Sequence, residues 1–172
     1  MRMGRQVPEG VLAERVAALR GQALEVFRPA RIWLRATLPL PVESKSLARH
    51  VAGCHAAYLV CGTIGAEIDA LQRRVAVASG ADALIVQAIG AAAIEEWMDA
   101  VEVEIRQELE PGEDLVSRFS PGYGDLPLEY QRTLLTILDT PRKIGVSLTD
   151  TLLMVPSKSV SAIVGVRRGQ AI

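Results

Sequence analysis

The chain has 172 residues, of which 49% are hydrophobic, with 19 basic and 20 acidic side chains. This length suits one sizeable domain, or a compact core with a small appended lobe. The nearly balanced charge excludes a net positive potential that would attract a polyanion, and the high hydrophobic fraction excludes a disordered polar tail. Aromatic residues, at 4%, are too few for a platform that stacks single-stranded nucleic acid. We therefore expect a globular protein that does not bind nucleic acid.

No segment has the apolar length needed for targeting or membrane insertion. The start, MRMGRQVPEG, is positively charged but runs into an amphipathic stretch, so we expect no signal peptide. The longest apolar stretch, residues 81–94, is too short and too interrupted to span a bilayer. Cys54 and Cys61 form no Cys-x-x-Cys pair, which favours buried thiols over a disulfide or redox pair. We expect a cytoplasmic protein.

The N-terminal quarter predicts a helix followed by a strand. Apolar residues recur at helical spacing over residues 7–27, with a break expected near Gly21. Residues 32–38 then alternate between apolar and polar side chains, the pattern of a half-buried strand. Pro39 and Pro41 close this strand because proline cannot continue the ladder.

The next stretch predicts a short helix, a buried strand and another helix. Ser44 or Ser46 can cap a short helix that ends at Gly53. Residues 56–61, AAYLVC, have the composition of a strand buried on both faces. The glycines of residues 62–65 turn that strand into a helix. A phosphate cradle at this turn is disfavoured, since neither a GxGxxG pattern nor a lysine-containing phosphate loop is present.

The longest helical pattern covers residues 81–110 and ends at Pro111. Its first half is small and apolar nearly all round, which predicts the core helix, and its second half is amphipathic. Paired carboxylates can serve acid-base chemistry or bind a metal, but an acidic run without a nearby histidine favours a solvated face. Five acids lie mostly opposite the apolar stripe of the second half: Glu95, Glu96, Asp99, Glu102 and Glu104.

The C-terminal third predicts a helix over residues 128–138 and two strands, 146–155 and 159–166, joined by a turn at 156–158. Together with the upstream elements, this order predicts the α+β class. The expected architecture is an antiparallel twisted sheet with a central long helix and flanking helices. We predict a single domain, residues 1–172, with an N-terminal helical segment (1–28) and a core (29–172).

The loop SRFSPGYGDLPLEYQ, residues 117–131, is the strongest candidate site. Its prolines and glycines suggest a defined path that holds side chains in place. Arg118 and Tyr123 flank the Pro121-Gly122 turn and can face one polar, planar or anionic ligand. The same composition also suits an ordered connection that binds nothing.

Other reactive chemistry is sparse. His50 and His55 have neither the partners of a serine or cysteine triad nor further zinc ligands, which favours structural or exposed roles. The sequence therefore predicts neither catalytic residues nor a metal site. If the chain has a site, we expect it at the loop and at whatever the sheet and the long helix place beside it.

The loop resembles a known family. RFSPGY, residues 118–123, matches the Arg-x-x-x-Gly-Tyr signature of the S-adenosylmethionine-binding activation domain of cobalamin-dependent methionine synthase. Residues 144–166, IGVSLTDTLLMVPSKSVSAIVGV, are similar to its strand, Met-x-Pro turn and Ser-Val-Ser strand. TIGAEID at 63–69 and AIGAAAIEE at 88–96 look like stand-alone bacterial relatives. The resemblance covers about residues 31–166.

The resemblance implies a function in cobalamin chemistry. In the family, the domain presents S-adenosylmethionine to cobalamin that has been oxidised to the inactive cob(II)alamin state. An electron from a flavodoxin-type donor and the methyl group restore methylcobalamin. The sequence contains no cobalamin-binding Asp-x-His-x-x-Gly motif, so the implied protein is an accessory subunit that acts on a separate cobalamin-bearing methionine synthase subunit.

The resemblance also implies roles for individual residues. Arg118 would contact the methionine carboxylate of the ligand, Gly122 would let the backbone approach it, and Tyr123 would line the site. Phe119 and Ser120 would supply backbone contacts. An acid on the long helix would hold the ligand's ammonium; the choice between two neighbours stays open: Glu95 or Glu96.

Two other functions remain open. The chain can be a binding or assembly module that kept the fold and lost or changed the ligand, serving another corrinoid methyltransferase. A thiol-based role for Cys54 and Cys61 is the third possibility. Binding of S-adenosylmethionine separates the first function from the other two, and replacement of both cysteines tests the last.

Overall fold

The computed structural model describes residues 10–169. Twelve helices and strands follow one another along these residues, and most begin or end within a few residues of a proline, a glycine or a capping serine. They are α1 (Val11–Val26), β1 (Ala30–Thr37), α2 (Lys45–His50), β2 (Cys54–Thr63), α3 (Glu67–Ala76), α4 (Gly80–Arg106), β3 (Glu113–Phe119), α5 (Tyr130–Leu138), α6 (Thr140–Lys143), β4 (Ser147–Leu148), β5 (Met154–Val155) and β6 (Ser159–Arg168).

A four-stranded antiparallel sheet in the order β1-β2-β6-β3 organises the fold. The two central strands are apolar on both faces because helices cover both sides. On one face Tyr58 and Val164 pack in a core with α1, α3 and α4, whereas on the other Leu59 and Ile163 pack in a core with α2 and α5. This mixed architecture confirms the predicted α+β class and its antiparallel sheet.

Helix α4 lies along the first of these faces. Ser79 caps it by accepting a hydrogen bond from the Asp82 backbone N–H at 3.1 Å. The first half was predicted to be the core helix because it is apolar nearly all round, and the all-round burial was wrong: Leu84 is 72% exposed there, because a helix on a sheet buries only one stripe. That stripe continues through both halves of the helix: Asp82, Val86, Gly90, Ile94, Met98, Val101 and Ile105.

The N-terminal helix is continuous. Helix α1 passes through Gly21 without a break, so the predicted interruption there was wrong. A single glycine costs an exposed helix only about 1 kcal/mol, and packing on α4 keeps α1 intact. Leu19 and Ala23 are buried in that contact. Residues 7–9 of the predicted helix lie outside the described residues.

The predicted C-terminal hairpin was wrong. Strand β4 pairs with β5 in a separate two-stranded ribbon, while β6 lies between β2 and β3 in the main sheet. The chain reverses inside the predicted first strand, where the Thr149 backbone N–H donates to the Leu153 carbonyl at 2.9 Å and Leu152 has a φ of 66°. The predicted strand at 159–166 is confirmed as β6, and Val160, Ala162, Val164 and Val166 share one of its faces. Across the described residues, no helix is long and apolar enough to cross a bilayer.

Candidate ligand-binding site

Arg118 lies near the end of β3, a strand that the sequence did not predict. Arg118 is paired with Val164 of β6, and Phe119, the last residue of the strand, with Ile163. The prediction that Arg118 and Phe119 belong to a loop was therefore wrong. Hydrogen bonding to a central strand fixes the Arg118 backbone more firmly than a loop would, and the irregular segment begins only at Ser120.

The segment after β3 follows a defined turn. The Tyr123 N–H donates to the Ser120 carbonyl at 3.1 Å, and the Gly122 N–H donates to the Leu126 carbonyl at 2.9 Å. Gly122 has a φ of 92°, a conformation that residues with a side chain rarely adopt. The turn therefore depends on glycine here, as its composition predicted, and it keeps Tyr123 close to the end of β3.

Helix α2 holds this turn from the other side. The Asp125 carboxylate accepts hydrogen bonds from the Ser44 hydroxyl at 2.5 Å and from the Lys45 and Ser46 backbone N–H groups at 2.9 Å each. The bond from Ser44 is the main reason that the pKa of Asp125 lies below its usual range. Gly124 touches Ser46 so closely that an added Cβ would lie 2.6 Å from the serine Cβ. The turn is thus locked onto the start of α2.

A cavity of about 430 Å³ lies between β3, the turn and α4, and we call it the Arg118 cavity. It combines acids of α4 with residues of the predicted loop, although only part of the predicted set reaches it. Its lining residues are Glu95, Asp99, Glu102, Ser117, Arg118, Ser120, Tyr123 and Val160.

Three carboxylates of α4 surround the Arg118 guanidinium. Nη1 of Arg118 is 2.9 Å from Oε1 of Glu102, whereas Nη2 is 3.1 Å from Oε2 of Glu95 and 2.9 Å from Oδ1 of Asp99. The spacing of four and then three residues places these acids on one face of the helix. The sequence prediction of a solvated acidic face holds for Glu95 and Asp99, which stay largely exposed, and was wrong for Glu102, which is mostly buried. Three carboxylates against one guanidinium leave an excess of negative charge in the cavity.

The three acids differ in their exposure to water. The side chain of Glu102 is 18% exposed, against 63% for Glu95 and 72% for Asp99, while Arg118 is 19% exposed. Burial raises the pKa of Glu102, and the charge of Arg118 opposes that shift. Glu102 and Arg118 therefore form a mostly desolvated pair at the inner end of the cavity, and the other two acids lie at its mouth.

An aromatic row borders the cavity. The Phe119 ring lies 4.8 Å from the His50 ring and 6.0 Å from the Tyr123 ring, the latter edge-on at 73°. The Ser117 carbonyl accepts a hydrogen bond from Nε2 of His50 at 2.7 Å. Tyr123 lines the cavity together with Arg118 and is 60% exposed, so its side chain is accessible from solvent.

The structure brings some of the predicted residues together and not others. Arg118, Ser120, Tyr123 and Glu95 line the Arg118 cavity, whereas Glu96 does not. One residue along a helix corresponds to a rotation of about 100°, which turns Glu96 away from Arg118. Two further residues, Phe119 and Gly122, shape the cavity through the aromatic row and the turn without lining it.

The histidines and cysteines do not form a second reactive cluster. His55 contacts Glu113 at 2.7 Å, far from the partners of His50. Cys54 and Cys61 are both free thiols, and burial raises the pKa of Cys61 to about 12. The disulfide alternative is thus absent, although only Cys61 is fully buried. Within residues 10–169, no group of histidines, cysteines and acids is arranged to hold a metal ion.

A larger cavity of about 520 Å³ lies elsewhere, between α5 and the β4-β5 ribbon. It contains no residue that the sequence named as a site. Arg132 lines it, and this side chain already donates to the Asp150 carbonyl at 3.2 Å. We place the candidate site at the Arg118 cavity. A mostly buried arginine beside solvent-exposed acids, whose contacts a ligand can replace, is a stronger sign of ligand binding than the volume of a cavity.

Comparison with known proteins identifies the family of this chain and agrees with its fold. The family model for "Vitamin B12 dependent methionine synthase, activation domain" matches residues 63–169, well over half of the chain. The chain therefore belongs to this activation-domain family, as the sequence motifs indicated. The match includes all of β3, the turn, α4 and β6, which together build the cavity.

A solved structure supports the same fold. The "Crystal Structure of the MetH Reactivation Domain bound to AdoHcy" superposes on this chain with a TM-score of 0.66 at 15% sequence identity. The superposition covers 99% of this chain and 72% of that one. At this identity the similarity establishes the fold, and the bound AdoHcy is a property of that protein. No curated protein sequence matches the chain.

Proposed function

We propose that this chain is an S-adenosylmethionine-binding reactivation subunit that supports reductive methylation of cob(II)alamin in a separate cobalamin-dependent methionine synthase. The observation that carries this proposal is the placement of Arg118 in the cavity, beside Tyr123 and an excess of carboxylates. Membership of the activation-domain family and the AdoHcy bound to the similar MetH domain support the same ligand class.

The cavity residues fit the charges of S-adenosylmethionine. The ligand carries one carboxylate, one ammonium and one sulfonium, so a site for it needs a cation for the carboxylate and an anion for the ammonium. Arg118 offers the cation and Glu95 offers the anion, while Asp99 and Glu102 contact Arg118. The volume of about 430 Å³ also lies in the usual range of small-molecule sites, about 300 to 1,000 Å³.

We assign one role to each of the predicted site residues. Arg118 binds the ligand carboxylate through its planar guanidinium. We assign acceptance from the ammonium to Glu95, and we favour it over Glu96 because only Glu95 lines the cavity. Tyr123 lines the site with its exposed ring. Phe119, Ser120 and Gly122 hold the backbone path that brings the ring and the guanidinium together.

The sparse inventory of reactive side chains suits this function. When bound, S-adenosylmethionine supplies a methyl group that is already activated on sulfur. The task left to this chain is to bind, orient and shield the ligand from water, for which no catalytic triad is needed. We therefore propose an accessory subunit of a methyltransferase activity.

The proposal requires partners. The sequence has no Asp-x-His-x-x-Gly motif, so the cobalamin is assigned to a methionine synthase subunit. The electron is assigned to a flavodoxin-type donor, and we propose the cytoplasm as the compartment. The Arg118 cavity opens to solvent beside the exposed Tyr123, where a cobalamin-bearing surface can approach a bound ligand.

Reactivation is the direct test. A cobalamin-dependent methionine synthase without its own activation domain is converted to the cob(II)alamin form and incubated with S-adenosylmethionine and a reductant. We expect turnover to return only when this chain is added, and the cobalamin absorption spectrum to change with it. Absence of S-adenosylmethionine binding in calorimetry, with and without the cobalamin protein, would reject the function.

The second candidate is a binding or assembly module for another corrinoid methyltransferase. It is favoured by one observation: Arg118 already has three carboxylate partners, so these contacts can serve only to tie β3 to α4. Under this alternative, the chain binds a cobalamin protein but not S-adenosylmethionine. Pull-down with the corrinoid protein, together with calorimetry, separates the two functions.

A further inference from the structure

The two ends of the Arg118 guanidinium have different surroundings. Nη1 contacts Glu102, whose side chain is 18% exposed, and Nη2 contacts Glu95 and Asp99, which are largely exposed. A carboxylate ligand that enters from the open side of the cavity meets Nη2 first. Binding there requires that one or both of the exposed acids give up their contact.

The exposed contacts are the easier ones to exchange. Water screens an ion pair at the surface, so breaking it costs little. Removing a partner from a mostly desolvated carboxylate costs more, because the charge is left without compensation where water cannot reach it. Glu102 is therefore expected to keep Arg118 when Glu95 and Asp99 release it.

The packing of helix α4 against the sheet holds the backbone of Glu102 in place. Glu102 follows Val101, which is fully buried in the core between α4 and the sheet, and Ile105 is buried one turn later. Their packing fixes the backbone from which the Glu102 side chain extends. Arg118 is fixed in turn by the pairing of β3 with β6. The Glu102–Arg118 contact thus joins two rigid elements and sets the direction of the guanidinium.

We propose that Glu102 is a positioning residue that holds Arg118 through Nη1, while Glu95 and Asp99 yield Nη2 to the carboxylate of the ligand. This inference rests on the proposed function of the cavity. Glu102 then acts on any ligand that carries the same amino-acid end, because its effect passes through Arg118. Asp99 occupies the ligand's place in the free protein.

Calorimetric titration of Glu102→Ala and Asp99→Ala tests this division of roles. Both variants remove an acid that contacts Arg118, so Asp99→Ala is the matched control. S-adenosylmethionine and S-adenosylhomocysteine serve as probes because they share the carboxylate and differ in the sulfonium. We expect Glu102→Ala to weaken both ligands by the same factor, roughly tenfold. Asp99→Ala is expected to change affinity by less than about twofold or to improve it.

Two additional variants separate positioning from a merely structural effect. Glu102→Gln keeps an oxygen that accepts from Nη1, so we expect it to recover most of the affinity. In an Arg118→Lys background, which lacks the planar fork, Glu102→Ala should cause no further loss. Thermal unfolding of each variant shows whether the fold is intact, and Glu102→Gln remains a test if Glu102→Ala fails to fold.

The outcomes distinguish this inference from the function on which it rests. If the wild-type chain binds neither probe, the proposed function and the inference both fail. If the wild type binds but Asp99→Ala weakens binding as much as Glu102→Ala, the positioning role alone is overturned. Loss of S-adenosylmethionine binding with unchanged S-adenosylhomocysteine binding in Glu102→Ala would also overturn it, since Glu102 would then act on the sulfonium.

Discussion

A cluster of arginine and carboxylate side chains lies at each end of strand β3, and the two clusters are built in opposite ways. At the far end, one arginine, Arg118, meets three carboxylates of α4. At the near end, one carboxylate, Glu113, accepts from Arg35 at 2.5 and 3.0 Å, from His55 at 2.7 Å and from the Glu110 backbone N–H at 3.0 Å. The Glu113 side chain is only 2% exposed.

This difference shows how similar residues can have different roles in one molecule. Glu113 accepts from several donors and is shielded from water, so no other molecule is at hand to replace one of these donors. Glu113 therefore fixes β1 against the start of β3. An arginine with more acceptors than it needs, two of them in water, can exchange one of them for a ligand. We infer that the near cluster stabilises the fold, and we propose that the Arg118 cluster is available for binding.

The largest predicted effect is on ligand affinity at the Arg118 cluster. Arg118→Ala should weaken S-adenosylmethionine binding by about 1.5 to 3 kcal/mol, because a charge-assisted bond is lost. Calorimetry measures the change, and Arg142→Ala, an exposed site away from the cavity, is the control. Unchanged affinity in Arg118→Ala would mean that the clusters at both ends of β3 only stabilise the fold.

A single methyl group added at Gly124 should disturb the turn that carries Tyr123. Gly124 has a φ of 57° and touches Ser46, so Gly124→Ala combines backbone strain with a clash. We expect a loss of stability of about 1 to 3 kcal/mol and weaker ligand binding. Chemical denaturation and calorimetry measure the two effects.

Gly112→Ala is the matched control for that variant. Gly112 has a φ of 83° at the near end of β3, but no atom would touch an added Cβ. We expect a similar strain cost with unchanged ligand affinity. If both glycine variants weaken binding equally, the turn does not position the site.

The cluster around Glu113 should make the stability of the fold depend on pH in the acid range. Hydrogen bonding to Arg35, supported by the Glu110 N–H and His55, lowers the pKa of Glu113 to about 2. A lowered folded-state pKa contributes stability above the unfolded value, about 4.3, and loses it as pH falls towards 2. Glu113→Gln should therefore be less stable at neutral pH, and its unfolding free energy should vary less between these two pH values.

Denaturant unfolding across that pH range measures the slope, and Glu43→Gln, at an exposed position, is the reference. Ligand affinity at neutral pH should stay the same in Glu113→Gln. An acid dependence identical to that of the wild type would show that Glu113 is not the anchor that its contacts suggest.

The smallest effects are expected at the cysteines. Burial raises the pKa of both thiols, with Cys61 at about 12, so neither forms a ready thiolate at neutral pH. We expect Cys54→Ser to leave ligand binding unchanged and Cys61 to resist alkylation in the folded chain. Mass spectrometry after iodoacetamide treatment measures the second effect. Loss of reactivation in Cys54→Ser would revive a thiol-based role.

Much of the fold was predictable because its core elements have strong periodic signals. The buried strand at 56–61, the long helix and the apolar face of β6 all appear in the structure. A cap by Ser44 or Ser46 was also predicted, and Ser44 provides it, since its hydroxyl accepts from the Leu47 N–H at 3.0 Å. The division of the chain at residue 28 remains a prediction.

The elements that were missed lack such signals. Strand β3 has only seven residues, and a register shift between Leu115 and Arg118 interrupts its alternation. The β4-β5 ribbon was hidden in the single strand predicted at 146–155, because its turn contains no glycine or proline. A non-glycine residue, Leu152, adopts the positive φ there.

The site was half predictable. The Arg-x-x-x-Gly-Tyr motif pointed to Arg118 and Tyr123, whereas Asp99 and Glu102 were assigned to a solvated face. Their spacing from Glu95, at four and seven residues, placed all three on one helix face and was the available signal. The sequence could not show which side chain that face would meet, since β3 itself was missed.

A structure of the complex tests the central claim most directly. Crystals of the chain grown with S-adenosylhomocysteine would place the ligand's carboxylate relative to Arg118. We predict a carboxylate oxygen about 2.7 to 2.9 Å from Nη2 of Arg118, with Glu102 still in contact with Nη1. A ligand bound in the cavity beside Arg132, or an Arg118 that keeps all three acids, would contradict the account.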